Sequence, residues 1–321
     1  MSRAALFALL ALAAAASVLA GLLCGAFPVS VQQVVGAVVR PTPGLVHDVI
    51  WELRAPRVLA AFACGGLLAF AGALLQVLLR NALADPYILG VSSGASLGAL
   101  IALTLGGGPV ATNAAALASA LAAIVIVFGL GFRSGEANAY RLLLTGVVLA
   151  TGFSAAVSLL LVMAPEAQVK GMLYWLMGDL SDAGNPTPAW IVLALVMALG
   201  IGYATRLDLL ALGETKARTL GVAVVSLRIG VFLTAALATV AAVMLGGAIG
   251  FIGLMAPHAI RLLGIADHRA LLPLAVLLGG GVLTLSDTAS RTVWAPQQLP
   301  VGVLTALIGV PVMLVLLKRT P

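Results

Sequence analysis

Charge is what this sequence has least of. Only 9% of its 321 residues are Asp, Glu, Lys or Arg, against about a quarter in soluble globular domains. Between Ile229 and Ile260, 32 residues pass without one of them. With 62% hydrophobic residues and a mean hydropathy of +1.17, the chain cannot be a water-soluble domain carrying a single anchor. Cysteine is scarce too. Cys24 and Cys64 both sit in apolar stretches, which leaves no disulfide framework and no thiolate metal site. Several catalytic signatures are missing: a Gly-x-x-x-x-Gly-Lys-Ser/Thr phosphate loop, a His-Glu-x-x-His pair, an Asp-rich metal-pyrophosphate motif and a Gly-x-Ser-x-Gly elbow. His47, His258 and His268 are far apart at predicted ends or loops and read as structural. The net charge of +6 does not point to nucleic acid, because the 17 basic residues are scattered singly and form no patch.

What remains is a set of spans. A membrane helix needs about 20 apolar residues. Cutting at charges, prolines and glycine clusters gives candidates near 4–26, 58–79, 87–106, 114–132, 142–164, 189–205, 229–246, 253–264, 271–287 and 301–317. The expected fold is therefore all-α and polytopic, a single domain over 1–321 built as a bundle of ten transmembrane helices. Short broken helices are expected near 170–180 and 253–264. The uncharged run from Ile229 has to bend, since 32 helical residues would extend about 48 Å against a hydrocarbon core of about 30 Å. Gly246, Gly247, Gly250 and Gly253 with Pro257 mark the place. Thirty-six glycines and many alanines let helices approach closely. The Ala/Leu run after Arg3 also resembles a cleavable signal peptide, but it continues to Ala26, long enough to remain as a first span.

Ten spans put both termini on one side. With that side cytoplasmic, twelve basic residues fall inside and five outside, the latter being Arg40, Arg54, Arg57, Lys170 and Arg291. Arg54 and Arg57 flank Pro56, which suits a first helical position, so both would face the positive end of a helix dipole. They either attract an acidic partner from outside, with Arg291, or pair with Asp48, Glu52 and Asp287 or with lipid phosphates. On the inner side Gly213 and Gly221 bracket seven residues, with Glu214 in the first turn and Lys216 and Arg218 later. That predicts a short surface helix whose Ala217 and Leu220 form a small apolar face, either a groove-binding element or a solvated connector. Asn81 and Asp85-Pro86 supply turn chemistry between spans two and three.

Several stretches together resemble the FecCD/BtuC-type permeases. They are Arg54-Ala55-Pro56-Arg57, Arg80 to Pro86 with Leu89 to Ala95, Gly213-Glu214 to Leu220-Gly221, Gly250 to His258 with Arg261, Asp267-His268-Arg269, Asp287 with Arg291, and Leu299 to Gly302 with Gly309 and Pro311. The match covers roughly Trp51 to Lys318. It implies a permease subunit of a binding-protein-dependent ABC importer for iron siderophores, haem or cobalamin, placed in a bacterial inner membrane with cytoplasmic termini. The implied partners are a second permease subunit forming a homodimer, two cytoplasmic ATPase subunits, one periplasmic binding protein and the lipid bilayer, with no nucleic acid. The chain itself would be non-catalytic and bind no cofactor or metal; ATP and Mg would be used by the ATPase.

Carried onto this sequence, the resemblance makes Arg54, Arg57 and Arg291 the docking residues for the binding protein. Gly213, Glu214, Ala217, Leu220 and Gly221 become the coupling helix on the ATPase. Asn81, Leu83, Ala139 and Tyr140 fall at the cytoplasmic gate, and Lys170 at the pathway mouth, where an aromatic-belt anchor is the competing account. The family usually has Pro where Ala82 stands and small hydroxylated residues near Ala139 and Tyr140, so the gate is differently shaped here. From another class, an ion-coupled secondary transporter would call for carboxylates deep in the spans. Nearly every charge instead falls near a predicted end.

Overall fold

The computed structural model describes residues 2–25, 27–39, 43–131, 139–181 and 183–318, and among these all regular structure is helical. In chain order the helices are α1 (Arg3–Leu23), α2 (Val31–Val39), α3 (Leu45–Asp48), α4 (Ala55–Leu78), α5 (Val91–Thr104), α6 (Pro109–Gly131), α7 (Ala139–Met163), α8 (Glu166–Met177), α9 (Thr187–Ala211), α10 (Glu214–Thr219), α11 (Val224–Gly246), α12 (Ile252–Leu262), α13 (His268–Thr292) and α14 (Val301–Leu317). A π-helical turn over Val49–Arg54 fuses α3 to α4, and a 3₁₀ turn over Pro86–Leu89 precedes α5. Seven helical runs are long and apolar enough to cross a membrane: α1, Leu45–Leu78, α6, α7 from Arg141, α9, α11 and α13. Helices α5 and α14 are apolar but shorter.

Helix α4 is the centre. In its most apolar window 94% of residues are buried, against 11% for α7, and α1, α9, α11, α12 and α13 all pack on it. Small side chains make this possible. A Cβ on Gly65 would penetrate the backbone carbonyl of Gly279 in α13, and one on Gly72 the backbone of Gly253 at the start of α12. Without a hydrophobic force between helices in lipid, such backbone approach supplies the packing energy.

The bend expected after Ile229 is present. Helix α11 stops at Gly246, Gly247 takes φ 67°, and Phe251 takes φ 70° immediately before α12. Gly253 and Pro257 lie inside α12 rather than at the break. Eleven residues rise only about 16 Å, so α12 is short, and its backbone at this depth is covered by α4, α13 and α14.

The second span corrects the sequence reading. Pro56 does not open a helix, because the helical run begins at Leu45. The Ala55 N–H reaches back to the Ile50 carbonyl, an i→i−5 bond of the π turn just ahead of Pro56. Arg54 and Arg57 are therefore inside a continuous helix, not at a free positive end.

Because Gly72 has no room for a side chain, Gly72→Ala is expected to push α4 from α12 and cost about 1–3 kcal/mol. Gly152→Ala on α7, where a Cβ meets only open space, is expected to leave stability unchanged or slightly raised. Thermal unfolding of the two variants in the same detergent checks this.

Candidate functional site

At the end of the bundle where α1 stops, three arginines gather around one carboxylate. Asp287 on α13 is fully buried. Arg57 holds it through Nε at 3.0 Å and Nη2 at 2.9 Å, and Arg291, one turn along α13, sits 3.4 Å from its other oxygen. Arg57 also donates to Gln298 Oε1 at 2.8 Å, and the Gln298 carbonyl accepts the Tyr174 hydroxyl from α8. The remaining donors go to α1. Arg291 donates to the Gly21 carbonyl at 2.7 Å, while Arg54 donates to Leu22 at 2.7 Å, Leu23 at 2.9 Å and Phe27.

The carbonyls of Gly21, Leu22 and Leu23 are those that the end of a helix leaves without partners, at the negative end of its dipole, and Phe27 lies in the loop beyond it. Arg54 and Arg291 thus cap the end of another helix. Arg54 and Arg57 are only 4% and 9% exposed, so their guanidiniums are engaged within the chain and do not project outward. The pairing with Asp287 is present, whereas Asp48 and Glu52 form no ion pair among the described residues. Three guanidiniums against one carboxylate leave the cluster with a formal charge of +2 (3 − 1). Gln298 was not singled out in the sequence; a loop glutamine carries no signal of its own.

Lys170 on α8 is exposed, with its ammonium 5.9 Å from the centre of the Tyr174 ring. One hydrogen-bonded path therefore runs from the helix carrying Lys170, through Tyr174 and Gln298, to Arg57 and Asp287.

At the far ends of the same helices, α10 lies between α9 and α11. Gly213, at φ 123°, begins it. Glu214 binds Arg218 and Arg228 at 2.8 Å each; the hydrogen bond from Arg218, with the Arg228 charge, holds its carboxyl below the usual range. Ala217 is fully buried against the bundle, so the expectation that it shares an outer apolar face with Leu220 is corrected. The outward apolar residues are Leu220 and Leu212, 59% and 61% exposed. Gly221 follows with φ 80°. A side chain on Gly213 would lie 3.1 Å from the Arg80 guanidinium, which brings α10 to the turn after α4.

In that turn Asn81 Oδ1 accepts the Leu83 N–H at 2.9 Å, and both residues are exposed. Asp85 caps the 3₁₀ turn by accepting the Tyr87 N–H at 2.8 Å. The Tyr87 hydroxyl donates to the Ile249 carbonyl and accepts its N–H, both at 2.8 Å, pinning this turn to the break between α11 and α12. Ala139 and Tyr140 begin α7, but their side chains lie outside the described residues. No cluster of three metal-binding side chains occurs among the described residues.

Two outcomes follow. Asp287→Ala would leave the buried guanidiniums without their carboxylate and is expected to cost about 3–5 kcal/mol of stability, read from thermal unfolding. Asp85 lies outside the spans, and burial pushes its carboxyl up to about 6. Its folded value exceeds its unfolded one, so between about pH 4 and 6 the native state binds more protons. This group's contribution therefore falls as pH rises through that window. Wild type should lose stability relative to Asp85→Asn between pH 4 and 7, and parallel melting curves would contradict it.

Comparison with known proteins now places the chain. The FecCD transport family matches residues 10–319. The ABC transporter permease protein YvrB of Bacillus subtilis (strain 168) is 37% identical over 327 residues, covering 95% of this chain and 91% of that protein. The cobalamin import system permease protein BtuC of Halobacterium salinarum is 39% identical, covering 86% and 75%. The vitamin B12 import system permease protein BtuC of Escherichia coli O157:H7 is also 39% identical, covering 84% and 83%. A solved inward-facing metal-chelate type ABC transporter superposes with a TM-score of 0.85 at 30% identity, covering 99% of this chain and 100% of that one. With its helical runs and its family resemblance extending over nearly the whole length, the chain belongs to the FecCD transport family, as an ABC importer permease.

Proposed function

We propose that this chain forms one half of a homodimeric conduit through a bacterial inner membrane, passing a bulky metal chelate from a periplasmic binding protein to the cytoplasm. Two ATPase subunits below supply the energy, and ATP and Mg stay with them; the chain binds no cofactor of its own. The observation that carries this reading is α10. It is a short helix closed on itself by Glu214, Arg218 and Arg228, with Leu212 and Leu220 turned outward beside it. A paired-off polar side and an exposed apolar edge suit a knob seated in another protein's groove.

Counting α5, α14 and the short α12 as crossings beside the seven long apolar runs gives the even number that this reading, with both termini cytoplasmic, requires. Arg54, Arg57 and Arg291 lie beneath the outer docking face. Although engaged, they carry an uncompensated +2, and that field attracts acidic side chains on the binding protein. Lys170 stands at the pathway mouth on α8, while Asn81 and Leu83, with Ala139 and Tyr140, border the cytoplasmic gate. The cargo class is a metal chelate such as cobalamin, haem or a ferric siderophore, with cobalamin favoured by the relatives' import of it.

An ion-coupled carrier would need exchangeable carboxylates at depth. Asp287 is instead committed to two arginines.

The chain purified from its native membrane is expected to bring an ATPase subunit with it, and the paired changes Leu212→Asp and Leu220→Asp to reduce the retained ATPase at least tenfold. Uptake of cobalamin driven by an ion gradient, with no ATPase in the vesicle, would refute the proposal.

A further inference from the structure

Between α5 and α7, roofed by Leu176 of α8, lies a cleft of about 420 Å³. Its polar lining comes from a simple spacing. Ser92 and Ser96 are four apart on α5, and Ser154 and Ser158 four apart on α7, so each helix turns two hydroxyls to one face. Ser158 donates to the Ser154 carbonyl at 2.9 Å, and Ser93, at the cleft edge, to the Gly90 carbonyl at 3.2 Å. The other three hydroxyls differ. Ser92 and Ser96 are only 6% and 5% exposed, Ser154 is exposed, and none of the three forms a side-chain hydrogen bond among the described residues. Their oxygens still reach the cleft, so a ligand entering it meets hydroxyls that no protein group already holds.

The chemistry of that ligand follows from what the lining lacks. Among the described residues no Asp, Glu, Lys, Arg or His borders the cleft. A carboxylate entering it would lose water and meet no cation, whereas an amide, carbonyl or hydroxyl would find donors and acceptors of matching strength. The cleft also opens off α7, the least covered of the long spans, rather than from the packed centre around α4.

We propose that this hydroxyl-lined cleft is a transport subsite that takes the uncharged hydrogen-bonding rim of the cargo and disfavours a rim of carboxylates. The proposal rests on the permease reading and deepens it, since it sorts chelates by the chemistry of their edges. Ser92, Ser96 and Ser154 are the specificity-determining residues, and the apolar walls from Val157 and Leu161 leave the cargo free to move on.

The test uses the chain assembled with its ATPase subunits in lipid nanodiscs, in a Cys24→Ser background, with Ser154→Cys or Ser92→Cys as reporter. Labelling by an uncharged maleimide is expected to slow at least fivefold with cyanocobalamin or a ferric trihydroxamate, both of uncharged rim, and less than twofold with haem, whose rim carries carboxylates. Equal protection by haem, or protection by neither uncharged probe, overturns the subsite. So do thiols that fail to react in the empty complex, which would assign the cleft to the face covered by the second copy. In proteoliposomes, Ser92→Ala, Ser96→Ala and Ser154→Ala combined should lower uptake of the protecting probe at least fivefold with ATP hydrolysis unchanged; unchanged uptake also overturns it. ATPase retention on the same samples separates the two failures: protection lost with ATPase bound sinks the subsite alone, whereas a chain that holds no ATPase sinks the permease reading and this proposal with it.

Discussion

Backbone approach at the glycines of α4 is the constraint on which the rest of the structure depends. Lipid offers no hydrophobic reward for bringing helices together, so the bundle is held by dispersion contacts that only small residues allow. Gly65 against Gly279 and Gly72 against Gly253 fix α13 and α12 on α4 at backbone distance. Once these neighbours surround α4, the later helices can only be peripheral. Helix α7 is left largely uncovered, while α5, shorter and packed against α6 and α7, carries the serines beside it. The cleft is thus a consequence of which helix took the centre.

The arginine cluster solves a second problem of the same solvent. The end of α1 leaves carbonyls without helical partners, and each one left unsatisfied would be costly. Arg54 and Arg291 satisfy the carbonyls of Gly21, Leu22 and Leu23, and Asp287 keeps Arg57 and Arg291 from repelling each other unopposed. Buried ion pairs add little net stability over a well-packed apolar core, but removing one partner is costly. Here the arrangement joins α1, α4 and α13, and through Gln298 and Tyr174 it reaches α8. A disturbance at this face therefore has a bonded route to α8 without moving the packed centre.

Most of the spans were legible because hydropathy and breaks act locally: the expected 58–79, 229–246 and 301–317 became Ala55–Leu78, Val224–Gly246 and Val301–Leu317. The errors are of one kind. The helix before Pro56 was missed because a π turn absorbs a proline that ordinarily marks a start; the Asp287 pairing was among the expected ones, but the contacts of Arg54 and Arg291 with backbone carbonyls leave no trace in residue identity. Ala217 was turned the wrong way because a six-residue helix is too short for its pattern to say which side is covered. The serines of α5 and α7 are visible as letters, but only the packing of two distant segments makes them one surface.

The distribution of charge then has a physical logic. A subunit that moved cargo by its own ion coupling would need titratable groups along the path, each with a desolvation cost and each a place for cargo to stick. Among the described residues the fully buried carboxylate, Asp287, is locked to arginines, and the cleft off α7 is lined by serine hydroxyls and apolar side chains without a charged group. Neutral hydrogen bonds are worth little net against water, so they sort a cargo by the chemistry of its rim without holding it tightly. Such a wall needs its two arrangements set from outside, by whichever partner state binds one of them better. The arginine cluster and the exposed apolar edge beside α10 lie at the two ends of the bundle, the surfaces at which the proposed partners would set that bias.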